Sequence, residues 1–339
     1  MKKIFIIWGR EAELSKQYAL SVDAEIKKIY SQRIARHIWL VPFRYLVHGV
    51  NTLIMLSREK PDFVMVQNPP IFAVIPVYFY CLLTGSKYAI DSHTVAFIGK
   101  KWESFFFLFK FFSKRAIFNS CHNYKNLEIL KKWGVSPVMV APFAFIENDE
   151  EKFKKPLKNK NLEKFLNQKK INILMVNRFA NDDDWKTVFE TAKIFKEANF
   201  YITGGADKKT LEKIKKEKVD NFILTDYLEH TEFMKMMRRS DIVIALTLRK
   251  DTKLWSIQEA LSLNKPFITS DSEVLRHYFR EVAQFVKGDP EDMVKKIKYI
   301  LNNKKEIKEK LKKLTIERKK EYQEEMKKIK NIIEKNAKK

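Results

Sequence analysis

Short apolar runs that end in polar residues alternate with helix-patterned segments along this chain, and the alternation occurs twice. The first set of runs is KIFIIWG, AEIKKIY, DFVMVQNPP, KYAIDSH, RAIFNS and PVMVAPF, with FRYLVHGVNTLIMLSREK and HNYKNLEILKKWG among the segments between them. The second set is INILMVNRF, NFYITGG, NFILTDYL, DIVIALT, KPFITSD and AQFVKG. Parallel strands cannot be joined by a tight turn and need a crossover, usually a helix, so this order predicts parallel sheets rather than hairpins. Between the sets lies ENDEEKFKKPLKNKNLEKFLNQKK, polar and charged, which reads as an interdomain connection. A chain of 339 residues, 45% of them hydrophobic, suits two ordinary cores. The expectation is an α/β chain of two doubly wound domains facing each other across a cleft, at 1–145 and 170–303, with a linker at 146–169 and a charged helix at 304–339. Ligands of such sheets bind outside the carboxyl ends of the strands.

The net charge of +24 attracts polyanions, so nucleic acid, anionic headgroups and phosphorylated small molecules all enter as partner classes. The plainer reading is a lysine-rich surface, since much of the excess sits in the mixed-charge tail, a long helix with few apolar anchors. RNA-binding sheets interleave aromatic and basic residues at strand centres, and that pattern is absent, so nucleic acid is not an expected partner. Cys81 and Cys121 lie far apart and form no disulfide or zinc spacing, which favours a reducing, cytoplasmic setting. MKKIFIIWG is too short for a signal-peptide core and reads as a first strand. IFAVIPVYFYCLL at 71–83 falls short of a membrane span, carries Pro76, and is expected as a buried helix. KKWESFFFLFKFFSKR at 100–115 joins aromatic bulk to basic ends, with Trp102, Phe105, Phe106, Phe109 and Phe112 at helical spacing. Two readings stand: a helix lying in the headgroup region at the inner face of a membrane, or packing between domains.

The strand ends carry polar residues that a core would not choose. After DIVIALT comes DTKLWSIQEALSLNKPFITSD, in which Asp251 and Glu259 flank seven residues. The backbone N–H groups around Lys253 to Ser256 would open a helix there, and a helix N-terminus attracts phosphate. After INILMV, Arg178 and Lys186 can converge on one anion; the alternative is ordinary ion pairs to Asp182, Asp183 and Asp184. Those aspartates read as loop acids with a helix cap, and no metal-binding cluster is expected. Gly204-Gly205 either admits a ligand close to the backbone or forms a turn. His93, at the end of the strand that carries Asp91, is a candidate general base or sugar-orienting group, against the alternative of a structural hydrogen bond. Gln67 and Asn68 before Pro69-Pro70 either line the cleft or make a polar turn. His48, His122, His230 and His277 receive no role.

The succession NRF…DWK, TGG, TDYLEHTEFMKMMRRSDIVIALT, then acid, seven residues, acid and EALSLNKPFITSD, resembles the nucleotide-sugar half of GT-B glycosyltransferases of the family 4 (group 1) type. VQNPP at 66–70 with GSKYAIDSH at 85–93 is similar to the β-mannosyltransferases that extend lipid-linked chitobiose. Together the likenesses reach to about residue 300. Asp251 stands where the family has a first glutamate and Asn264 where a glycine precedes Lys265-Pro266, and WGREAELSK takes the place of a glycine-rich loop. The resemblance implies the GT-B fold, with two Rossmann-like domains, and glycosyl transfer from a UDP- or GDP-sugar to a glycan or lipid-linked acceptor. It implies no cofactor beyond the donor and no metal. It assigns His93, Arg178 and Lys186 to catalysis, and Gly204, Gly205, Asp251, Leu254, Trp255, Ser256 and Glu259 to the donor, with Glu259 on the ribose hydroxyls. Gln67, Asn68 and Asp91 fall to the acceptor side. The competing expectation is a basic GT-B-like module that binds membrane or nucleic acid without transfer.

Overall fold

The computed structural model describes residues 1–9, 13–30, 41–146 and 150–337. The chain divides into two compact units, Met1–Pro142 with Lys320–Lys339, and Phe143–Lys319.

Unit 1 holds six strands, β1 (Lys3–Ile7), β2 (Glu25–Lys28), β3 (Phe63–Asn68), β4 (Lys87–Ser92), β5 (Asn119–Cys121) and β6 (Pro137–Met139). They form one sheet in the order β2-β1-β3-β4-β5-β6, with every pair parallel. Its helices are α1 (Glu13–Ser21), α2 (Val41–Glu59), α3 (Val74–Thr84), α4 (Val95–Ile98), α5 (Lys100–Glu103), α6 (Phe106–Ser113) and α7 (Tyr124–Lys132). FVMV of β3 and IFII of β1 are fully buried along their length, as strands covered on both faces must be, which is why they read as unbroken apolar runs. The strand order reverses between β1 and β3, so the loops after those strands splay apart and leave a crevice.

Unit 2 repeats the plan with β7 (Ile171–Met175), β8 (Ala198–Thr203), β9 (Phe222–Asp226), β10 (Ile242–Ala245), β11 (Phe267–Ser270) and β12 (Gln284–Val286), ordered β12-β11-β10-β7-β8-β9 and all parallel. Its helices are α8 (Glu150–Lys154), α9 (Lys160–Leu166), α10 (Trp185–Ile194), α11 (Lys208–Lys216), α12 (His230–Arg239), α13 (Trp255–Ser262), α14 (Glu273–Phe279) and α15 (Pro290–Asn302). Here the order reverses between β7 and β10. The stretch expected as a linker contributes α8 and α9 to this unit.

Three expectations are corrected. The tail is one helix, α16 (Lys304–Ala337), but it is well anchored: Ile307, Leu311 and Leu314 are buried in unit 2, and Tyr322, Met326, Ile329 and Ile333 in unit 1. Within each group these positions recur every three or four residues, so a narrow apolar stripe survives among the lysines. The run at 71–83 is helical yet only half buried, since Phe79, Leu82 and Leu83 are exposed by 50%, 63% and 85%. The segment at 100–115 is two short helices, not one; Phe109 and Phe112 are in the core, Phe107 and Phe111 outside. No helix among the described residues is long and apolar enough to cross a membrane.

Candidate active site

In unit 2 the loops after β7 and β10 flank the point where the strand order reverses. The loop after β7 is organised by its own acids. Asp184 caps α10, accepting from the backbone N–H and the hydroxyl of Thr187 at 3.4 and 2.7 Å. Asp183 accepts the backbone N–H of Arg178 at 2.8 Å. Arg178 Nη2 lies 3.1 Å from Asp182 Oδ2 and 3.0 Å from Asp183 Oδ1. The Asp183 bond, with Asp182 beside it, pushes the guanidinium pKa above its already high ordinary value. From the other loop, Arg249 Nε reaches the same Asp182 Oδ2 at 2.9 Å, and the Leu248 N–H donates to the Asp182 carbonyl at 2.8 Å. Two guanidinium groups thus meet at one carboxylate. Both Arg178 bonds start at one nitrogen, and its planar fork has further N–H donors for a phosphate oxygen. Lys186 stands exposed on the first turn of α10.

The loop after β10 ends at Leu254, which holds the N-cap position of α13 in extended backbone and has no side-chain acceptor to offer. The first-turn N–H groups of Trp255, Ser256 and Ile257 therefore keep their affinity for an anion. Glu259 follows on the same helix and is 6% exposed, inside the continuous buried stretch Ile257–Leu261. It is not a surface acid. Asp251 is half-buried at positive φ in the preceding turn. Lys253 Nζ lies 4.1 Å from the centre of the Tyr278 ring, whose hydroxyl donates to Gln258 at 3.1 Å.

The two glycines after β8 differ. Gly204 has φ +91°, and a Cβ there would lie 2.5 Å from the Asn177 carbonyl oxygen and 2.8 Å from Arg178 Cα. It brings the end of β8 against the loop that carries Arg178. A Cβ on Gly205 meets nothing. Gly204→Ala is expected to destabilise by about 2–4 kcal/mol through forced φ and overlap, whereas Gly205→Ala changes stability by less than about 0.5 kcal/mol. Urea unfolding of the pair checks this.

In unit 1 the polar centre is Asp91, fully buried at the end of β4. Ser120 donates to Oδ1 at 2.7 Å, His122 Nε2 lies 3.1 Å from Oδ1, and His93 Nε2 is 3.1 Å from Oδ2. Register explains the cluster: Asp91 sits opposite Ser120 and Ser92 opposite Cys121, so His93 and His122 leave neighbouring strands side by side. His122 Nδ1 faces the Val140 carbonyl at 3.2 Å, which can only accept, so that nitrogen carries a proton. Burial alone would raise the Asp91 carboxyl; His122, then His93, outweigh it and hold it well below the usual carboxylate range. Asp91, His93 and His122 are also the one set of histidine, cysteine and acid side chains among the described residues whose donor atoms gather within 4.8 Å. Two imidazoles and a carboxylate suit a transition metal as well as they suit a clamped acid. Gln67 accepts from Ser15 at 2.9 Å and so faces α1, while Asn68 is buried and its carbonyl accepts from the His93 N–H at 2.8 Å.

Residues 157–321 match the family described as Glycosyl transferases group 1. The comparison with curated proteins returned no match. Among solved structures, a glycosyltransferase from Rickettsia africae ESF-5 superposes at TM-score 0.70 with 12% identity, over 99% of this chain and 98% of that one. HepE from Anabaena, solved with UDP-glucose, gives TM-score 0.70 at 8% identity over 100% and 99%. UDP-GlcNAc 2-epimerase from Neisseria meningitidis, bound to UDP-GlcNAc, gives 0.61 at 13% identity over 92% and 94%. The chain has the GT-B fold. Within this GT-B chain, residues 157–321 are similar to group 1 glycosyltransferase domains.

Of the sequence-predicted residues, the GT-B architecture brings Arg178 to the β7 loop and Asp251, Leu254, Trp255, Ser256 and Glu259 to the β10 loop and α13, on adjacent strands. Asp91 and His93 meet directly; Gln67 and Asn68 lie on the neighbouring strand. Sequence reading missed Arg249, whose signal was a basic residue directly after the apolar run of β10, and His122, which follows β5 as His93 follows β4. A hollow of about 760 Å³ lined by Arg276, Phe285 and Tyr299 holds none of these residues.

Proposed function

We propose that this protein transfers a sugar, a hexose in the simplest case, from a nucleoside-diphosphate sugar to a hydroxyl of a glycan or lipid-linked acceptor, as a family 4-type enzyme. The observation that carries the reading is Glu259, buried one turn inside a helix whose N-terminus has no side-chain cap and whose preceding loop sends Arg249 to meet Arg178. Transfer builds negative charge on the departing diphosphate, which the amide dipoles of α13 and the two guanidiniums offset without requiring a metal. Glu259 accepts from the ribose hydroxyls. With its Nε2 proton given to Asp91, His93 keeps Nδ1 as the basic nitrogen and can take the acceptor proton or orient the sugar. Neighbours solved with UDP and UDP-glucose support a nucleotide-sugar donor.

The test is a thermal-shift screen of UDP, GDP and their sugars, followed by product analysis. A new glycosidic product supports transfer; interconversion of a free UDP-sugar points to epimerisation. Stabilisation by membranes or RNA alone, with indifference to every nucleotide, points to a non-catalytic module. Arg178→Ala is expected to lower kcat/KM by about 3 kcal/mol, roughly 100-fold, as removal of other preorganised donors does. Unchanged activity would reduce Arg178 to a surface ion pair.

A further inference from the structure

Helix α2 faces the wrong way for a soluble helix. It turns His48 and Thr52 inward with Leu56, and exposes Leu46, Val50, Leu53 and Ile54 by 65%, 49%, 38% and 45%. Beside it, α3 exposes Phe79 by 50%. Leu46, Val50, Leu53 and Phe79 border a groove of about 690 Å³, almost wholly apolar, lined also by Trp8, Phe72 and Trp102. That volume falls within the roughly 300–1,000 Å³ of sites for ligands of moderate size.

The groove does not end blindly. Trp8, Tyr45 and Trp102 also line a second pocket, of about 160 Å³, whose other described walls are Tyr30, Arg44, His48 and the Pro69-Pro70 turn after β3. This pocket lies at the crevice where the strand order of unit 1 reverses, between the ends of β1 and β3. His48 is 3% exposed, and neither ring nitrogen has a hydrogen-bond partner among the described residues. A buried imidazole in that state, beside an open pocket, has hydrogen-bonding capacity to spare for a ligand. Burial, then Arg44, lower its pKa, so at neutral pH it is a neutral ring with one donor and one acceptor. Arg44 lies over the Tyr45 ring at 5.4 Å, and Lys101 borders the groove. Among the described residues no acid lines either hollow.

We propose that groove and pocket together seat one amphiphile, a lipid phosphate whose hydrocarbon chain lies along the exposed face of α2 and whose phosphate meets Arg44 and His48. An apolar trough that shares three aromatic rings with a pocket bordered by a guanidinium matches that chemistry at both ends. The role of this lipid as the carrier of the acceptor hydroxyl rests on the transferase reading above; its binding does not.

The experiment uses the full chain and farnesyl phosphate below its micelle concentration, followed by calorimetry and by tryptophan fluorescence, to which Trp8 and Trp102 of the groove contribute. Saturable one-to-one binding is expected, at least tenfold tighter than geranyl phosphate and unaffected by equal inorganic phosphate. Gly49 lines the groove, and the nearest atom to a Cβ there is the Trp8 ring at 4.0 Å, so Gly49→Phe fills the trough without entering the core. It is expected to weaken farnesyl phosphate at least tenfold. Leu46→Glu, at an exposed position, should do the same should Gly49→Phe fold poorly. Arg44→Gln should weaken farnesyl phosphate and leave farnesol unchanged. UDP affinity, measured on the same samples, stays constant across the series. Equal binding by the groove variants, affinity no better than inorganic phosphate, or uptake only as unsaturable partition into anionic vesicles would overturn the proposal. Lipid binding without UDP binding would uphold the groove and remove the transferase reading instead.

Discussion

Replacing Glu259 by glutamine is expected to weaken UDP binding and donor use by about 3 kcal/mol, on the order of 100-fold, because a charge-assisted bond to each ribose hydroxyl is worth roughly 1.5–3 kcal/mol. Glutamine keeps the volume of a side chain that is 6% exposed, so packing around Ile257, Ala260 and Leu261 is conserved and the change is in charge. The discriminating measurement is a double cycle with 2′-deoxy-UDP. Loss of the 2′-hydroxyl should penalise the wild type by tenfold or more and the Glu259→Gln variant hardly at all, since the two removals share one contact. Equal penalties in both proteins would place Glu259 away from the ribose and leave it as a buried structural acid. The readout is the ligand-induced shift, not the bare melting temperature, so a general stability effect cannot imitate the result.

The two sheets were legible because parallel strands buried on both faces leave apolar runs that no surface element imitates; IFII of β1 and FVMV of β3 are examples. The strand ends were legible for the same reason, since a polar residue closing such a run has to be there for something other than the core. What the sequence concealed are relations across strands. Arg178 has aspartates four and five positions away, so an ion pair was open from spacing alone, but the convergence of Arg249 on the same Asp182 oxygen needs β7 and β10 side by side. His122 lies 31 residues from Asp91 and becomes its neighbour only through the β4–β5 register. Segments 71–83 and 100–115 were read by composition, which counts apolar residues but not which face they occupy. In α2 that distinction decides everything, because His48 and Thr52 point in while Leu46, Val50 and Leu53 point out.

Truncating Asp91 to alanine is expected to destabilise unit 1 by about 3–5 kcal/mol, since removing one member of a buried charged cluster leaves its partners facing an empty, dry site. Ser120 loses its acceptor, and His93 and His122 lose the group that orients both rings. Asp91→Asn keeps the shape and supplies a pH test. The folded-state carboxyl is depressed below its unfolded value, so it binds protons less readily when folded. The stability it contributes is therefore complete above the unfolded pKa, near pH 4, and is lost as pH falls from there towards the lower folded value. Wild-type stability should drop steeply below about pH 4, and the drop should be shallower in Asp91→Asn, which has no proton to take up. Urea unfolding across pH 6 to 3, read by fluorescence, measures both slopes. Parallel curves would mean that Asp91 is not held ionised by its histidines, and the orientation of His93 that the transfer chemistry uses would lose its physical basis.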